Sequence, residues 1–241
     1  MSENNLTIFM HIPKTGGTTL SKIFRELYNI DQIYDHDAFK GKVIKHENLT
    51  REEKEKLKAV AGHYFYGIHQ FSTKEFDYFT MLRDPVDRVI SSYYFLQNYP
   101  GYERVKDMTL EEFVMKEPEA SNLQTMMVSG NPDIPDLEKA KENLKTFTVV
   151  GLTEFFNESL FLLKKAYGWN DIHYKKQNIT KKRLKKEELP STVINIIKTY
   201  NELDLELYDF SKQLMTKQLQ TLTPDEQKQL EQFKKEQGLL S

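Results

Sequence analysis

The chain of 241 residues contains no cysteine. It can therefore form neither a disulfide framework nor a thiol nucleophile. No run of about 18 apolar residues occurs, so no membrane-spanning helix is expected. The first residues, Met1 to Asn5, also lack the basic and apolar regions of a signal peptide. These absences lead us to expect a protein of the cytoplasm.

A surplus of charge of either sign is missing as well. The 34 Lys and Arg residues are balanced by 36 Asp and Glu residues, which gives a formal net charge of −2. Such a chain is not a general nucleic-acid binder, so any affinity for phosphate must come from a local site. No linker divides the chain. We expect one domain over residues 1–215 and a helical tail, 216–241, packed on this domain or on a neighbouring subunit.

A loop with two glycines lies between the first predicted strand and the first predicted helix. Residues 6–10 form an apolar run, and apolar positions from Leu20 to Leu27 recur at helical spacing. Backbone N–H groups in such a loop, with the partial positive charge of a helix start, suit a bound phosphate. Threonine hydroxyls and a lysine ammonium add donors. The predicted phosphate-binding residues are Lys14, Thr15, Gly16, Gly17, Thr18 and Thr19. The alternative is an ordinary turn with an exposed lysine.

This loop does not follow the pattern of the P-loop nucleotide hydrolases. In their motif, G-x-x-x-x-G-K-[ST], the lysine comes after both glycines. Here Lys14 precedes Gly16 and Gly17, and the first glycine of the motif is absent. A kinase would also need a carboxylate for magnesium, and the sequence places none convincingly. A nucleotide or metabolite kinase remains an alternative function.

A second candidate site follows the next predicted strand, residues 59–61. Gly62 and His63 come directly after that strand, and His69 follows six residues later. Ligands of open α/β sheets bind beyond the carboxyl ends of the strands. Histidine is a suitable base for removing a proton from a hydroxyl near neutral pH. No carboxylate has metal-ligand spacing to these histidines, so no metal is expected. Alternatively, each histidine is purely structural.

A third candidate site lies where a predicted strand, residues 76–82, runs into a helix. Asp84 is placed to cap that helix and Pro85 occupies its first position. Arg83 stands at the end of the strand, and Ser91 lies about two turns into the helix. A guanidinium and a hydroxyl at these positions suit a second phosphate. Arg88 is either a further donor or a solvated helix residue.

These stretches resemble the sulfotransferases that use 3′-phosphoadenosine 5′-phosphosulfate (PAPS). The loop from Pro13 to Thr18 is similar to the 5′-phosphosulfate loop of that family, and Arg83 with Ser91 is similar to its 3′-phosphate site. The resemblance covers about residues 6–212 and points to bacterial relatives of the heparan sulfate 2-O-sulfotransferases. It implies an α/β, P-loop-like fold, a three-layer sandwich with a central, mostly parallel sheet flanked by helices.

The resemblance also implies a reaction and the residues that carry it. A sulfuryl group would pass from PAPS to an acceptor hydroxyl, with a saccharide as the expected acceptor. Gly62-His63 matches the motif that carries the catalytic base, and Lys14 would stabilise the leaving phosphate. Arg83 and Ser91 would bind the 3′-phosphate. A non-catalytic PAPS-binding protein is a further alternative.

Two more segments carry candidate contacts. The family has a basic loop that folds over the nucleotide, which implies contacts from one or two of Lys181, Lys182 and Arg183, with Arg183 taken as a cofactor-binding residue. Asn122 and Gln124 lie in a segment similar to one that recurs in the bacterial members, and they are candidates for acceptor contacts. In the alternative interpretation this segment is a buried helix.

The remaining predictions concern secondary structure. Residues 191–214 are predicted as one amphipathic helix, because apolar residues recur at helical spacing throughout. Thr223 and Gly238 bracket a further predicted helix. The polar segment 31–45 is expected to contain a short strand at residues 42–44.

Overall fold

A parallel sheet runs through the part of the chain that the computed structural model describes, residues 5–35, 46–169 and 184–239. Its strands are β1 (Asn5–Met10), β2 (Ile33–Asp35), β3 (Ala59–Gly62), β4 (Glu75–Leu82) and β5 (Val149–Leu152). The spatial order is β2-β3-β1-β4-β5, and each neighbouring pair is parallel. Because the strands are parallel, all their carboxyl ends lie along one edge of the sheet.

Helices connect the strands. They are α1 (Gly17–Glu26), α2 (Arg51–Lys56), α3 (Pro85–Leu96), α4 (Leu110–Lys116), α5 (Leu123–Ser129), α6 (Leu137–Thr146), α7 (Phe156–Tyr167), α8 (Ser191–Tyr200), α9 (Glu202–Gln220) and α10 (Pro224–Leu239). Helices α2, α3 and α4 begin at side-chain caps, with Thr50, Asp84 and Thr109 each accepting a backbone N–H of the first turn, and the cap predicted at Asp84 is confirmed. The α/β fold implied by the resemblance is confirmed.

The sheet is covered on both faces. Successive side chains of a strand point to opposite faces. Phe79 in β4 packs against Phe9 in β1 and Phe24 in α1, with ring centroids 4.9 and 5.4 Å away. The next side chain back, Tyr78, contacts Tyr66 and Phe147 on the other face. The strands are therefore buried from both sides, which explains their nearly continuous apolar sequence.

The predicted single helix over residues 191–214 is wrong. The structure has α8 and α9, which are separated at Asn201. The Asn201 side chain is fully buried, and its Nδ2 donates to the carbonyl oxygens of Ala120 (2.7 Å) and Ile197 (2.9 Å). An asparagine that bonds to nearby backbone groups competes with helix continuation. The apolar spacing continues across the break, and for that reason periodicity alone did not reveal it.

Two other expectations concern segment boundaries. The strand β2 lies within the segment expected to be mostly polar, and the strand predicted at residues 42–44 falls outside the described residues. The expected division at 215/216 falls inside α9, and the division of the chain into two units stays a prediction.

The final helix α10 packs against α7. The rings of Phe161 and Phe233 lie 6.1 Å apart between the two helices. Lys165 in α7 and Glu226 in α10 form an ion pair at 2.8 Å. Helix α10 is thus held on α7 by an apolar contact and an ion pair.

Candidate active site

Three loops meet at the carboxyl edge of the sheet. They follow β1, β3 and β4, which are neighbours in the strand order. The Nδ1 atom of His63, after β3, lies 2.7 Å from the carbonyl oxygen of His11, after β1. Nη1 of Arg83, after β4, donates to the carbonyl oxygen of Lys14 at 3.1 Å. The structure therefore brings the predicted base, lysine and arginine together around one loop.

Side-chain hydrogen bonds hold the loop after β1, in which two residues have left-handed backbone conformations. Lys14 has a φ of +68° and Gly16 a φ of +82°, both in the left-handed region. The Thr15 hydroxyl donates to the carbonyl oxygen of Ile12 at 2.9 Å, and the Thr153 hydroxyl donates to the carbonyl oxygen of Thr15 at 2.7 Å. The hydroxyl of Thr15 thus braces the loop, and a contact of Thr15 with phosphate would come from its backbone N–H.

Gly17 is required because His11 occupies the space next to it. A Cβ added at Gly17 would overlap the imidazole of His11, which is 6% exposed. Burial lowers the pKa of His11 well below its ordinary value, and the nearby charges of His63, Arg25 and Lys14 lower it further. His11 is therefore a neutral, tightly packed ring beneath the start of α1.

The start of α1 is suited to an anion. Its first turn carries no acidic side chain, so no carboxylate of the helix itself offsets the partial positive charge. Thr18 is exposed and Thr19 is half-buried in this turn. Both hydroxyls accordingly stand at the surface of the loop where the predicted phosphate would lie.

The hydrogen bond of His63 determines which ring nitrogen is the base. A carbonyl oxygen can only accept, so Nδ1 of His63 carries the hydrogen and donates to His11. The lone pair then resides on Nε2. The side chain of His63 is exposed, and its ring centroid lies 4.3 Å from that of His11. An exposed, correctly protonated imidazole can take a proton from an acceptor hydroxyl.

His69 anchors the loop that follows His63. Its Nδ1 lies 2.9 Å from the hydroxyl of Tyr78, and that hydroxyl also accepts the backbone N–H groups of Gly67 and His69 at 3.3 Å. Burial raises the pKa of Tyr78 to about 12 and lowers the pKa of His69. The role that the sequence left open for His69 is thus a structural one, namely holding the loop against β4.

Helix α3 presents two side chains towards the loop after β1. Ser91 is 6% exposed, and Phe95 lies one turn later on the same face. The ammonium of Lys14 lies 3.8 Å from the centroid of the Phe95 ring, a cation–π contact. Ser91 therefore stands on the side of α3 that faces Lys14. Sequence inspection missed Phe95, because nothing local distinguishes it from other surface aromatics.

Arg88 is a buried residue of the interior. Its side chain is fully buried, its Nη2 donates to the carbonyl oxygen of Glu119 at 3.0 Å, and its Nε lies 4.0 Å from Oδ2 of Asp204. The interpretation of Arg88 as a solvated helix residue is wrong. A guanidinium can be buried in this way only when carboxylate and carbonyl oxygens compensate for lost water.

The two candidate acceptor contacts in the segment 121–130 differ in burial. Gln124 is fully buried, and its side chain bonds to the backbone of Arg83. The prediction that Gln124 contacts the acceptor is therefore wrong. Asn122 is half-buried, and its Oδ1 accepts the backbone N–H of Asp204 at 3.1 Å. Its contact with the acceptor stays a prediction.

The predicted nucleotide contacts from Lys181, Lys182 and Arg183 lie outside the described residues, and the contact assigned to Arg183 stays a prediction. Within the described residues, no group of three or more His, Asp or Glu side chains could hold a metal ion. No helix in that part of the chain is long and apolar enough to cross a membrane.

A cavity of about 590 Å³ opens beside the loop that follows His63. Its aromatic walls come from Tyr64, Phe65, Tyr66 and Phe71. Two charged residues also line the cavity, Glu47 before α2 and Lys54 within α2. The cavity thus combines flat apolar surfaces with hydrogen-bonding groups, and one of its walls begins at Tyr64, the residue after the candidate base.

The family model described as the sulfotransferase family matches residues 1–211 of this chain. The chain belongs to the sulfotransferase family. The family expected from the two phosphate motifs is therefore confirmed. It follows that the glycine loop and the Arg83 site of this sulfotransferase lie within the part of the chain that the family model covers.

Several curated relatives of this sulfotransferase act on saccharides according to their names. It is similar to heparan-sulfate 6-O-sulfotransferase 2 of Gallus gallus, with 27% identity over 97% of this chain and 72% of the relative. The Homo sapiens protein of that name is 26% identical over 97% of this chain and 48% of its own length. Galactose-3-O-sulfotransferase 3 of Mus musculus is 24% identical over 83% of this chain and 54% of its own length. The chain spans about half the length of the latter two.

A solved structure is also similar. The mouse sulfotransferase SULT7A1 complexed with PAP (adenosine 3′,5′-bisphosphate) shares 15% sequence identity, with a TM-score of 0.43. The match covers 100% of this chain and 86% of the mouse chain.

Proposed function

We propose that this sulfotransferase transfers a sulfuryl group from PAPS to a carbohydrate hydroxyl, with His63 as the general base. The observation that carries the proposal is the meeting of three loops at one edge of the sheet. His63 is fixed to His11, and Arg83 is fixed to Lys14, on the same loop. A candidate base, a lysine and a guanidinium thus belong to, or are bonded to, the loop that leads into one helix.

The donor would lie between the loop after β1 and helix α3. Backbone N–H groups at the start of α1, with Lys14, would bind the 5′-phosphosulfate. Arg83 and Ser91 would bind the 3′-phosphate, since a guanidinium fork fits phosphate. This second contact would distinguish PAPS from nucleotides that lack a 3′-phosphate.

The reaction breaks the bond between sulfur and the bridging oxygen of the 5′-phosphate and forms a bond between sulfur and the acceptor oxygen. The acceptor proton passes to Nε2 of His63, and adenosine 3′,5′-bisphosphate (PAP) leaves. By analogy with phosphoryl transfer, negative charge grows on the leaving phosphate. Lys14 and the loop N–H groups would stabilise that charge.

A carbohydrate acceptor is supported by two independent features. The relatives carry heparan sulfate and galactose in their names. The cavity beside the loop that follows His63 offers aromatic surfaces together with polar side chains, which suits a sugar ring with an apolar face and hydroxyl edges. Lys54 and Glu47 contribute opposite charges there, so the described wall does not select for a strongly anionic chain.

Nucleotide selectivity tests the donor assignment. We expect PAP to raise the thermal unfolding temperature, with a smaller effect from ADP and ATP. A ligand at 100 times its dissociation constant stabilises a protein by about 2.7 kcal/mol, which gives a clear shift. A shift with ATP alone would instead support the kinase alternative.

His63→Ala tests the base. Loss of a general base typically lowers the rate by about 10²–10⁴-fold. We expect this loss in PAP release from PAPS, measured with galactose-terminated and heparan-derived oligosaccharides as acceptors. The shift with PAP serves as the control and is expected to persist. Unchanged turnover would remove His63 from the proposed role, and absent turnover in the wild type would support the non-catalytic alternative.

The cytoplasmic location stays a prediction. Fractionation of cells that produce the tagged protein tests it, with recovery in the membrane fraction as the contrary result.

A further inference from the structure

The backbone of Arg83 is held by a single buried side chain from a distant part of the sequence. Its N–H donates to Oε1 of Gln124 at 2.9 Å, and its carbonyl oxygen accepts from Nε2 of Gln124 at 3.0 Å. The Gln124 side chain is fully buried. The backbone N–H and C=O of Arg83 therefore both pair with the carboxamide of Gln124.

This pairing suits a glutamine. A carboxamide offers an acceptor and a donor side by side at every pH, whereas a carboxyl group does so only when it is protonated. Ionised glutamate would accept from the Arg83 N–H but would turn a carboxylate oxygen towards the Arg83 carbonyl. Methionine has a similar length and no comparable donor, and asparagine is one methylene shorter. The side chain at position 124 thus determines whether it bonds to both backbone groups of Arg83, to one of them or to neither.

The backbone of Gln124 is held in turn by the buried side chain of Asp204. The carboxylate of Asp204 accepts the backbone N–H groups of Gln124 at 3.1 Å and of Thr125 at 2.7 Å. Asp204 is fully buried in α9, and the buried guanidinium of Arg88 lies 4.0 Å away. The start of α5 is consequently anchored to α9, and Gln124 reaches Arg83 from a rigid base.

We infer that Gln124 is a positioning residue that fixes the direction of Arg83 and thereby sets the selectivity for a 3′-phosphorylated nucleotide. The Arg83 side chain also donates to the Lys14 carbonyl, so its orientation is tied to the 5′-phosphosulfate loop. A hydrogen bond to phosphate loses strength steeply as its geometry departs from linear. This inference rests on the proposed function, because it takes the 3′-phosphate as the group that Arg83 meets.

Calorimetric titration of PAP and ADP tests the inference with two variants and a matched control. We expect Gln124→Met to weaken PAP binding about tenfold and ADP binding by less than about twofold. Gln124→Leu, which has neither the donor nor the acceptor, is expected to act in the same direction and covers the case in which the methionine variant does not fold. Gln218→Met is the matched control, because the Gln218 carboxamide donates to the carbonyl oxygen of Thr148 rather than to Arg83. The control is expected to lower stability and to leave the ratio of the two affinities unchanged.

Hydrogen exchange of the Arg83 amide tests the positioning role of Gln124 separately from the proposed function. We expect slow exchange in the wild type and in Gln218→Met, and faster exchange in Gln124→Met. A folded Gln124→Met variant with wild-type amide exchange or a wild-type PAP to ADP ratio would overturn the positioning role, as would an equal loss of selectivity in Gln218→Met. Equal binding of PAP and ADP by the wild type would overturn the proposed 3′-phosphate site, and the selectivity inferred here with it.

Discussion

At the level of residues, His11 constrains both His63 and position 17. Its carbonyl oxygen fixes the tautomer of His63, and its ring packs against Phe9 with 5.3 Å between centroids. The same ring fills the space where a side chain at position 17 would lie. The two glycines of the loop are therefore needed for different reasons. Gly16 supplies a positive φ, whereas Gly17 makes room for His11.

Gly17→Ala tests this steric requirement. The added methyl group would overlap the buried His11 ring, and overpacking of this kind costs about 1–3 kcal/mol. We expect a loss of this size in the free energy of unfolding measured with urea. Gly238→Ala is the control, because an added Cβ there meets none of the described atoms within 4 Å. Equal stability of Gly17→Ala and the wild type would show that His11 can move aside at little cost.

At the level of elements, the break between α8 and α9 depends on Asn201. Besides its two donated bonds, its Oδ1 accepts the backbone N–H of Asn122 at 3.1 Å. This residue thus joins the end of α8 to the segment that leads into α5. The same segment carries Gln124, so the position of α5 relative to the Arg83 site depends on the break.

Asn201→Ala is expected to destabilise the protein by about 1–3 kcal/mol. The substitution leaves the Ala120 carbonyl and the Asn122 N–H buried without their partner, and unsatisfied groups of this kind carry that cost. Urea unfolding measures the difference. Asn98→Ala is the matched control, because Asn98 is exposed and a surface change of this kind alters stability by less than about 0.5 kcal/mol. Equal effects of the two substitutions would contradict the assignment.

At the level of the whole molecule, buried histidines link stability to pH. Burial lowers the pKa of both His11 and His69 in the folded state. As pH falls below about 6.5, the unfolded chain takes up protons that the folded state does not. Folding stability is therefore expected to fall as the pH is lowered from about 6.5, by up to about 1.4 kcal/mol per pH unit for one histidine.

Urea unfolding of the wild type and His11→Gln at pH 7.5 and pH 5.0 measures this linkage. His11→Gln lowers stability at both pH values, because the ring packing is lost, and it is expected to reduce the difference between them. Glutamine does not titrate, so the reduction isolates the contribution of His11. An unchanged difference in the variant would show that other groups account for the acid sensitivity.

The sequence predicted the elements well wherever the signal was local. Apolar spacing and capping residues identified β1, β3 and β4 and the helices α1, α3 and α10, because these signals involve residues within one or two turns. The same rule failed at Asn201, where a buried contact overrode continuous apolar spacing. It also failed to show β2, a strand of three residues whose burial comes from its neighbours.

By itself, the sequence determined the family, the fold class and the candidate chemistry, since a lysine and glycine loop, a histidine and an arginine each follow a strand. Only the tertiary structure decided which groups support them. Gln124 meets Arg83 across 41 residues, and Thr153 meets Thr15 across 138. Such pairings arise where packing brings buried donors and acceptors together, because each must find a partner once water is excluded. No pattern along the chain carries that information.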